Sequence, residues 1–338
     1  MPGHQLLGSG TSTILAALLF SVVLSSIMGV MRQGKRWKPE GKHIFITGGS
    51  QGLGLAVAQL LASKGANVTI CSRTESKLRH AVEQVKASAK SPQQEIEYVA
   101  ADVSTFDGAK GAIDACSVVP DTVFCCAGGA KPGFFLEQTE SDFEKGMKTD
   151  YWTCLATAHA AANAMARNGV VDGKIVLVSS LLGFMGLVGY SQYAPMKHAI
   201  RGLAESLRSE LILYGISVHA YFPATILSPG FDEENKTKPK ITLEIEGTDE
   251  GLTPAQCAKG LIKGVERGNF FITTDFNSEL FRVAAQGSAP TNRGLLDRAL
   301  TLISWIAIPI WRTFAADRAI KKHRKEHLRT LAGQKTKK

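Results

Sequence analysis

Thr47-Gly48-Gly49-Ser50-Gln51-Gly52-Leu53-Gly54 follows the apolar run HIFIT (43–47) and precedes a helical pattern over 53–63. Glycines between a strand and a helix let the backbone approach a pyrophosphate. The helix then presents free N–H groups and the positive end of its dipole. The spacing is T-G-x3-G-x-G, distinct from the G-x-G-x-x-G of the commonest dinucleotide folds. Gly48, Ser50, Gln51, Gly52, Leu53 and Gly54 are therefore candidate cofactor-binding residues. Outward from this turn, VTICS (68–72), IEYVAAD (96–102), TVFCCA (122–127), KIVLVSS (174–180) and ISVHAYF (216–222) read as buried strands. They alternate with helical stretches at 75–89, 105–116, 141–167 and 192–213. That alternation predicts an α/β fold, a doubly wound parallel sheet of Rossmann type with ligands at the carboxyl ends of its strands.

At the end of the second strand, Cys71-Ser72-Arg73 offers no acid for a ribose hydroxyl. Arg73, with Lys77 one helical turn on, suits a 2′-phosphate and points to NADPH; solvated helix-start residues are the alternative. Asp102-Val103 closes the third strand, placed to touch an adenine or, for Asp102, to cap the next helix.

Tyr193 and Lys197 stand at i and i+4, on one face of a helix. A cationic amine beside a phenol favours phenolate and is expected to lower its pKa from about 10 toward the working range. Ser180, thirteen residues before Tyr193 at a strand end, can hold a carbonyl oxygen. Pro195 is tolerated in a helix's first turn, so Tyr193 is expected within that turn.

The ordered set of glycine turn, Asp102, Ala127-Gly128, Ser180, Tyr193 and Lys197 resembles the short-chain dehydrogenase/reductase superfamily across roughly residues 41–275. Within it, Phe222-Pro223, PGFDEENKTKP (229–239), HAIRGLAESLRSEL (198–211), Gly268-Asn269-Phe270 and an apolar C-terminal extension resemble the reductases of long-chain sphingoid ketones. The resemblance implies NADPH-dependent ketone reduction in sphingolipid synthesis at the endoplasmic reticulum. Ser180 would orient the ketone, Tyr193 protonate the alkoxide, and Lys197 hold the nicotinamide ribose. Asp150 stands where the family has a catalytic asparagine. Cys125-Cys126-Ala127-Gly128 replaces its Asn-Asn-Ala-Gly, with Ala127 and Gly128 beside the cofactor.

The substrate side is apolar in pattern. Leu181, Leu182, Phe184, Met185, Leu187 and Val188 follow Ser180, and Phe134 and Phe135 follow the Ala127-Gly128 loop. They suit an alkyl chain or an ordinary core. Residues 223–253 form a connection long enough for a substrate lid. Its Asp232, Glu233 and Glu234 could meet a substrate ammonium, or simply be solvated.

The chain ends carry the charge. The net charge of +9 over 338 residues divides into +8 from Arg312 to Lys338 and +4 from Arg32, Lys35, Arg36 and Lys38, leaving −3 for 43–311. A mildly acidic body excludes a nucleic-acid face as the reason for the high pI. Leu6–Met31 contains no Asp, Glu, Lys or Arg and is expected to span a membrane, with a signal peptide or buried helix as alternatives. The basic cluster after it places the catalytic domain in the cytosol. Ala299–Trp311 is short for a span and suits a re-entrant, interfacial or substrate-covering segment, or a buried helix. The tail after it is expected on anionic lipid or in solvent.

The expected units are thus 1–40 (anchor and collar), 41–275 (reductase) and 276–338 (apolar segment and basic tail). The six cysteines show no metal spacing, so no metal is expected. The expected partners are a long-chain sphingoid ketone and membrane lipid, with homo-oligomerisation left open. A membrane-anchored reductase of steroids or retinoids and a non-catalytic nucleotide-binding scaffold are the competing readings.

Overall fold

The computed structural model describes residues 37–247 and 250–335. The expected anchor Leu6–Met31, with Arg32, Lys35 and Arg36, lies outside the described residues. Strands β1 (His43–Thr47), β2 (Asn67–Ser72), β3 (Ile96–Ala100), β4 (Thr122–Cys125), β5 (Lys174–Val178), β6 (Ser217–Tyr221) and β7 (Phe271–Ile272) form one sheet. Its order is β3-β2-β1-β4-β5-β6-β7, every pairing parallel. The order reverses between β1 and β4, where such sheets open a crevice for ligands. All six apolar runs are strands. β7 was not foreseen, because two residues are too few for a period to appear.

The helices are α1 (Gly52–Ser63), α2 (Glu75–Ala87), α3 (Phe106–Asp114), α4 (Glu140–Gly146), α5 (Thr153–Arg167) and α6 (Ala194–Glu210). They continue as α7 (Pro229–Asn235), α8 (Lys240–Glu246), α9 (Pro254–Glu266), α10 (Phe276–Ala284), α11 (Leu295–Trp311) and α12 (Asp317–Lys335). Strand alternation divides the core into two layers. Phe45, Val123, Ile175, Leu177 and Ala220 pack with Ala112 of α3, Ala156 and Ala160 of α5, and Ile200 and Ala204 of α6. On the opposite face Ile44, Ile46, Phe124, Val176 and Tyr221 pack with Val57 and Leu61 of α1, Leu78 of α2, and Leu261 of α9.

Three departures from the sequence reading matter for function. The single helix expected over 141–167 is interrupted at Met147–Trp152 by a π-helical turn that contains Asp150. The long 223–253 connection holds α7, capped by the Ser228 side chain accepting from Phe231 N–H, and then α8. The C-terminal apolar run is longer than its thirteen-residue pattern. It starts at Leu295, continues past Pro309 and through a π turn at Arg312–Ala316, and joins α12. Leu295–Arg329 is 35 residues long and apolar enough, by length and composition, to cross a membrane. The tail is held by contacts that a charge count does not register. Lys322 Nζ and His323 Nε2 lie 3.0 and 2.6 Å from the carboxylate of Glu244 on α8. The His327 ring packs 4.2 Å from that of Phe134.

Candidate active site

The carboxyl ends of the central strands open on a cavity of about 1130 Å³. Its floor is the turn after β1. Gly48 has φ +68°, and a Cβ there would lie 2.9 Å from the Ala127 nitrogen. A Cβ at Gly54 would lie 2.4 Å from the Gly48 carbonyl oxygen. Positions 48 and 54 are therefore closed to side chains. Gln51 stands at the N-cap of α1 without a side-chain cap, which leaves first-turn N–H groups facing a cavity lined by Gly48, Ser50, Gln51, Gly52, Leu53 and Gly54. A bare backbone cradle at an uncapped helix start fits a dinucleotide pyrophosphate. Thr47, not singled out from the sequence, braces it: its Oγ1 accepts from Ala127 N–H at 3.2 Å.

Arg73, Lys77, Asp102 and Val103 line one arm of the cavity. Asp102 Oδ1 accepts from Ser104 N–H (3.1 Å) and Ser104 Oγ (2.6 Å), and the Ser104 hydroxyl is the main reason that its carboxyl stays below the usual range. The capping role offered to Asp102 belongs instead to Thr105, whose Oγ1 accepts from Gly108 N–H. Lys148, a cation that sequence reading passed over, lies 3.8 Å from Asp102 Oδ2.

Ser180, Tyr193 and Lys197 meet where this arm joins a second, largely apolar one. Tyr193 is the N-cap of α6 and stands just before the first turn in which it was expected; Pro195 occupies that turn. Lys197 N–H donates to the Tyr193 carbonyl (3.2 Å), and Lys197 Nζ lies 5.1 Å from the Tyr193 ring centre. The Ser180 hydroxyl acts to lower the Tyr193 phenol, and Ser180 Oγ accepts from Leu182 N–H at 3.2 Å. Ser179, also missed from sequence, pins α6 to β5 by donating from Oγ to the Lys197 carbonyl at 2.8 Å.

The electrostatics reverse one expectation. Burial pushes the Tyr193 phenol up to about 12, and Asp150 and Glu234 add to the rise; Lys197 pulls down but does not win. The phenol stays protonated. Lys197 is fully cationic: burial works against its charge, but Tyr193 and Asp150 outweigh it and raise its pKa. Asp150 is completely buried, 3.3 Å from Lys197 Nζ, and its Oδ1 accepts from Gly129 N–H at 3.1 Å. Burial raises its pKa, opposed by Lys197 and the Gly129 N–H, while its Oδ2 has no hydrogen-bond partner. The π turn delivers this carboxylate from the helix to the site. Gln192 packs against the turn's start, where a Cβ on Gly146 would meet its Nε2.

Ala127 and Gly128 line the cavity between the cradle and Lys197; a Cβ at Gly128 would lie 2.9 Å from Asp150 Oδ1. Burial pushes the neighbouring Cys126 thiol up to about 12, so it is neutral.

The apolar arm was half legible. Leu181, Leu182, Met185 and Leu187 line it. Phe184 instead stacks on Phe222 at 4.1 Å in the core, Phe134 packs on His327, Phe135 is exposed, and Val188 does not line the cavity. The far wall comes from residues that local pattern could not assign: Tyr190, Phe281 of α10, and Ala307, Ile308 and Trp311 of α11.

A family model described as short chain dehydrogenase matches residues 42–239. The chain belongs to the short-chain dehydrogenase family. Among its curated relatives, this short-chain dehydrogenase is 39% identical to a 3-ketodihydrosphingosine reductase of Cryptococcus neoformans over 321 residues, 92% of this chain and 95% of the relative. It is 35% identical to the 3-ketodihydrosphingosine reductase of Dictyostelium discoideum over 291 residues, 81% of this chain and 86% of the relative. Its fold is similar to that of a short-chain dehydrogenase from Sphingobium yanoikuyae solved in complex with NADPH, at TM-score 0.62 and 21% identity, covering 78% of this chain and 96% of that one.

Proposed function

We propose that this short-chain dehydrogenase reduces 3-ketodihydrosphingosine to dihydrosphingosine with NADPH. The observation that carries the reading is the meeting of Ser180, Tyr193 and Lys197 between a dinucleotide cradle and an apolar arm. The two curated relatives named above extend over most of the chain and bear that substrate in their names.

Ser180 Oγ holds the ketone oxygen in the reading we favour, and Tyr193 Oη gives it a proton. A donor kept protonated by burial is suited to that step, because a general acid works below its pKa. Lys197 Nζ holds ribose hydroxyls, and its charge favours the developing alkoxide. Asp150 is a positioning residue that fixes the Lys197 ammonium. The nicotinamide, when bound, supplies a hydride. Arg73 and Lys77 take the 2′-phosphate, with no acid at the end of β2 to repel it.

On the same reading the chain is held at the endoplasmic reticulum membrane with its reductase domain, 41–275, in the cytosol. Residues 1–40 are the anchor and collar. Residues 276–338 bring an apolar helix and basic tail to the lipid. Leu302, Ile303, Trp305, Ile306 and Ile310 of α11 are exposed, which favours lipid contact.

Purified full-length protein with NADPH should reduce 3-ketodihydrosphingosine. Tyr193→Phe should abolish this and leave cofactor binding intact. Turnover of steroids or retinal without turnover of the sphingoid ketone overturns the proposal. A glycan on Asn235, within the sequon Asn235-Lys236-Thr237, overturns the cytosolic placement.

A further inference from the structure

The lid places a second charged group beside the site. Glu234 of α7, Glu246 of α8 and Lys238 of the segment between them meet Tyr190 in the wall of the same cavity. Lys238 is almost wholly buried, with its Nζ 3.2 Å from Glu234 Oε1 and 2.8 Å from Glu246 Oε2. The Tyr190 hydroxyl touches both carboxylates, Glu234 Oε1 and, at 3.1 Å, Glu246 Oε1. The two carboxylates beside it keep 20% and 24% of their side-chain surface open.

The cluster carries one negative charge more than its cation balances. Two carboxylates face one ammonium, for a net charge of −1. Tyr190 has one proton and can serve only one carboxylate at a time. Among the described residues Glu234 Oε2 takes no hydrogen bond, although Glu234 lines the cavity. Glu234 shares its one cation, Lys238, with Glu246, and its Oε2 remains open to a further cation from the cavity.

The Tyr190 and Tyr193 rings are 5.9 Å apart, and Glu234 contributes to the electrostatic field at Tyr193. The cavity beyond turns apolar at Met185, Leu187, Ile308 and Trp311. It is thus shaped for an amphiphile with a reducible carbonyl at Tyr193, a cation close to that carbonyl and a hydrocarbon chain running away from both. The acidic run at 232–234 divides accordingly. Asp232 and Glu233 are exposed, with Glu233 bonded to Lys236, and only Glu234 lines the cavity.

We infer that Glu234, supported by Glu246, Lys238 and Tyr190, receives the protonated amino group on the carbon next to the ketone. The inference rests on the sphingoid-ketone reading and adds to it the residue that selects an amine. An ammonium brings the missing charge and up to three donors, and places the ketone at Tyr193 and Ser180.

The test compares 3-ketodihydrosphingosine with its analogue lacking the amine, using the full chain in detergent micelles with NADPH. Removing a charge-assisted bond is expected to lower kcat/KM of Glu234→Gln for the amino ketone about 10- to 100-fold, chiefly through KM. The analogue should be reduced by wild type and variant alike, to within about threefold, because it makes no such bond. The affinity of the amino-diol product for the NADP-loaded protein should fall about tenfold or more in Glu234→Gln. Equal losses on both ketones, or no loss on the amino ketone, overturn the inference. If wild type does not reduce the amino ketone at all, the functional reading falls and the inference with it. Should Glu234→Gln fail to bind NADPH, the same comparison on Glu246→Gln decides, with a loss confined to the amino ketone expected.

Discussion

Asp150→Asn isolates the buried charge behind the catalytic pair. The substitution keeps the side-chain volume and an oxygen for the Gly129 N–H, but removes the carboxylate 3.3 Å from Lys197 Nζ. At an effective dielectric near 20 the Asp150–Lys197 attraction is about 5 kcal/mol, and breaking a buried pair typically costs about 3–5 kcal/mol of stability. Lys197, 5.1 Å from the Tyr193 ring, then acts on the phenol against burial and Glu234 but no longer against Asp150; its pull is about 3 kcal/mol, or about 2 pH units, at the same dielectric. Asp150 at present cancels part of that pull, so its removal should lower the Tyr193 pKa from about 12. The sign follows from the acid role: reduction needs the protonated phenol, and its alkaline limb lies at the phenol pKa. We expect the limb of kcat/KM for ketone reduction to move down by about 1–2 units, into the measurable range near pH 10–11. Urea unfolding should show the loss of stability, and NADPH titration should confirm a folded site. An unchanged alkaline limb with unchanged stability would mean that Asp150 is already a neutral acid at working pH, and would refute the argument.

Gly54→Ala drives a Cβ to 2.4 Å from the Gly48 carbonyl oxygen, so NADPH affinity should drop about tenfold or more in a fluorescence titration. Arg73→Glu places an acid at the end of β2; the ratio of kcat/KM with NADPH to that with NADH should fall about 100-fold or more. Paired substitutions Leu302→Glu and Ile306→Glu on the exposed side of α11 should reduce co-sedimentation with anionic vesicles, while urea midpoints stay near wild type. Arg282→Met leaves the buried carboxylates of Glu279 and Asp297 without their cation, and should cost about 3–5 kcal/mol in urea unfolding.

The sheet was legible because each buried parallel strand announces itself locally, as an apolar run between turn residues; the glycine turn and the Tyr193/Lys197 pair are likewise local patterns. What the sequence concealed is what depends on distant contacts. The π turn that carries Asp150 inward leaves a continuous helical pattern intact, yet it changes which side chain reaches Lys197. Tyr193 was expected to lose its proton readily because the lysine beside it is visible in the sequence, whereas the burial that outweighs the lysine is made by the whole site. Glu246, Lys238 and Tyr190 lie too far apart in the chain for spacing to join them. Phe184 took the core alternative and Phe134 a tail helix, because apolar character does not say whether a ring faces a cavity, a core or a tail helix.

The C-terminal helix unites the substrate's two demands. Along α11 the side chains of Ala307, Ile308 and Trp311 line the cavity that holds Tyr193, while Leu302, Ile303 and Ile306 are exposed. A helix so lightly buried gains little from packing and needs another hold on the body. The buried Arg282 provides it, bonded 2.7 Å to Asp297 of α11 and 2.7 and 2.9 Å to Glu279 of α10. Asp297 Oδ2 also accepts from Asn292 N–H at 2.8 Å, closing the turn before α11. The ion pair fixes the start of the helix and leaves its apolar surface free. On the functional reading proposed above, an alkyl chain passing from lipid to Tyr193 can therefore follow one apolar helix and avoid exposure to water. Its cationic end is drawn to Glu234, which lines the same cavity.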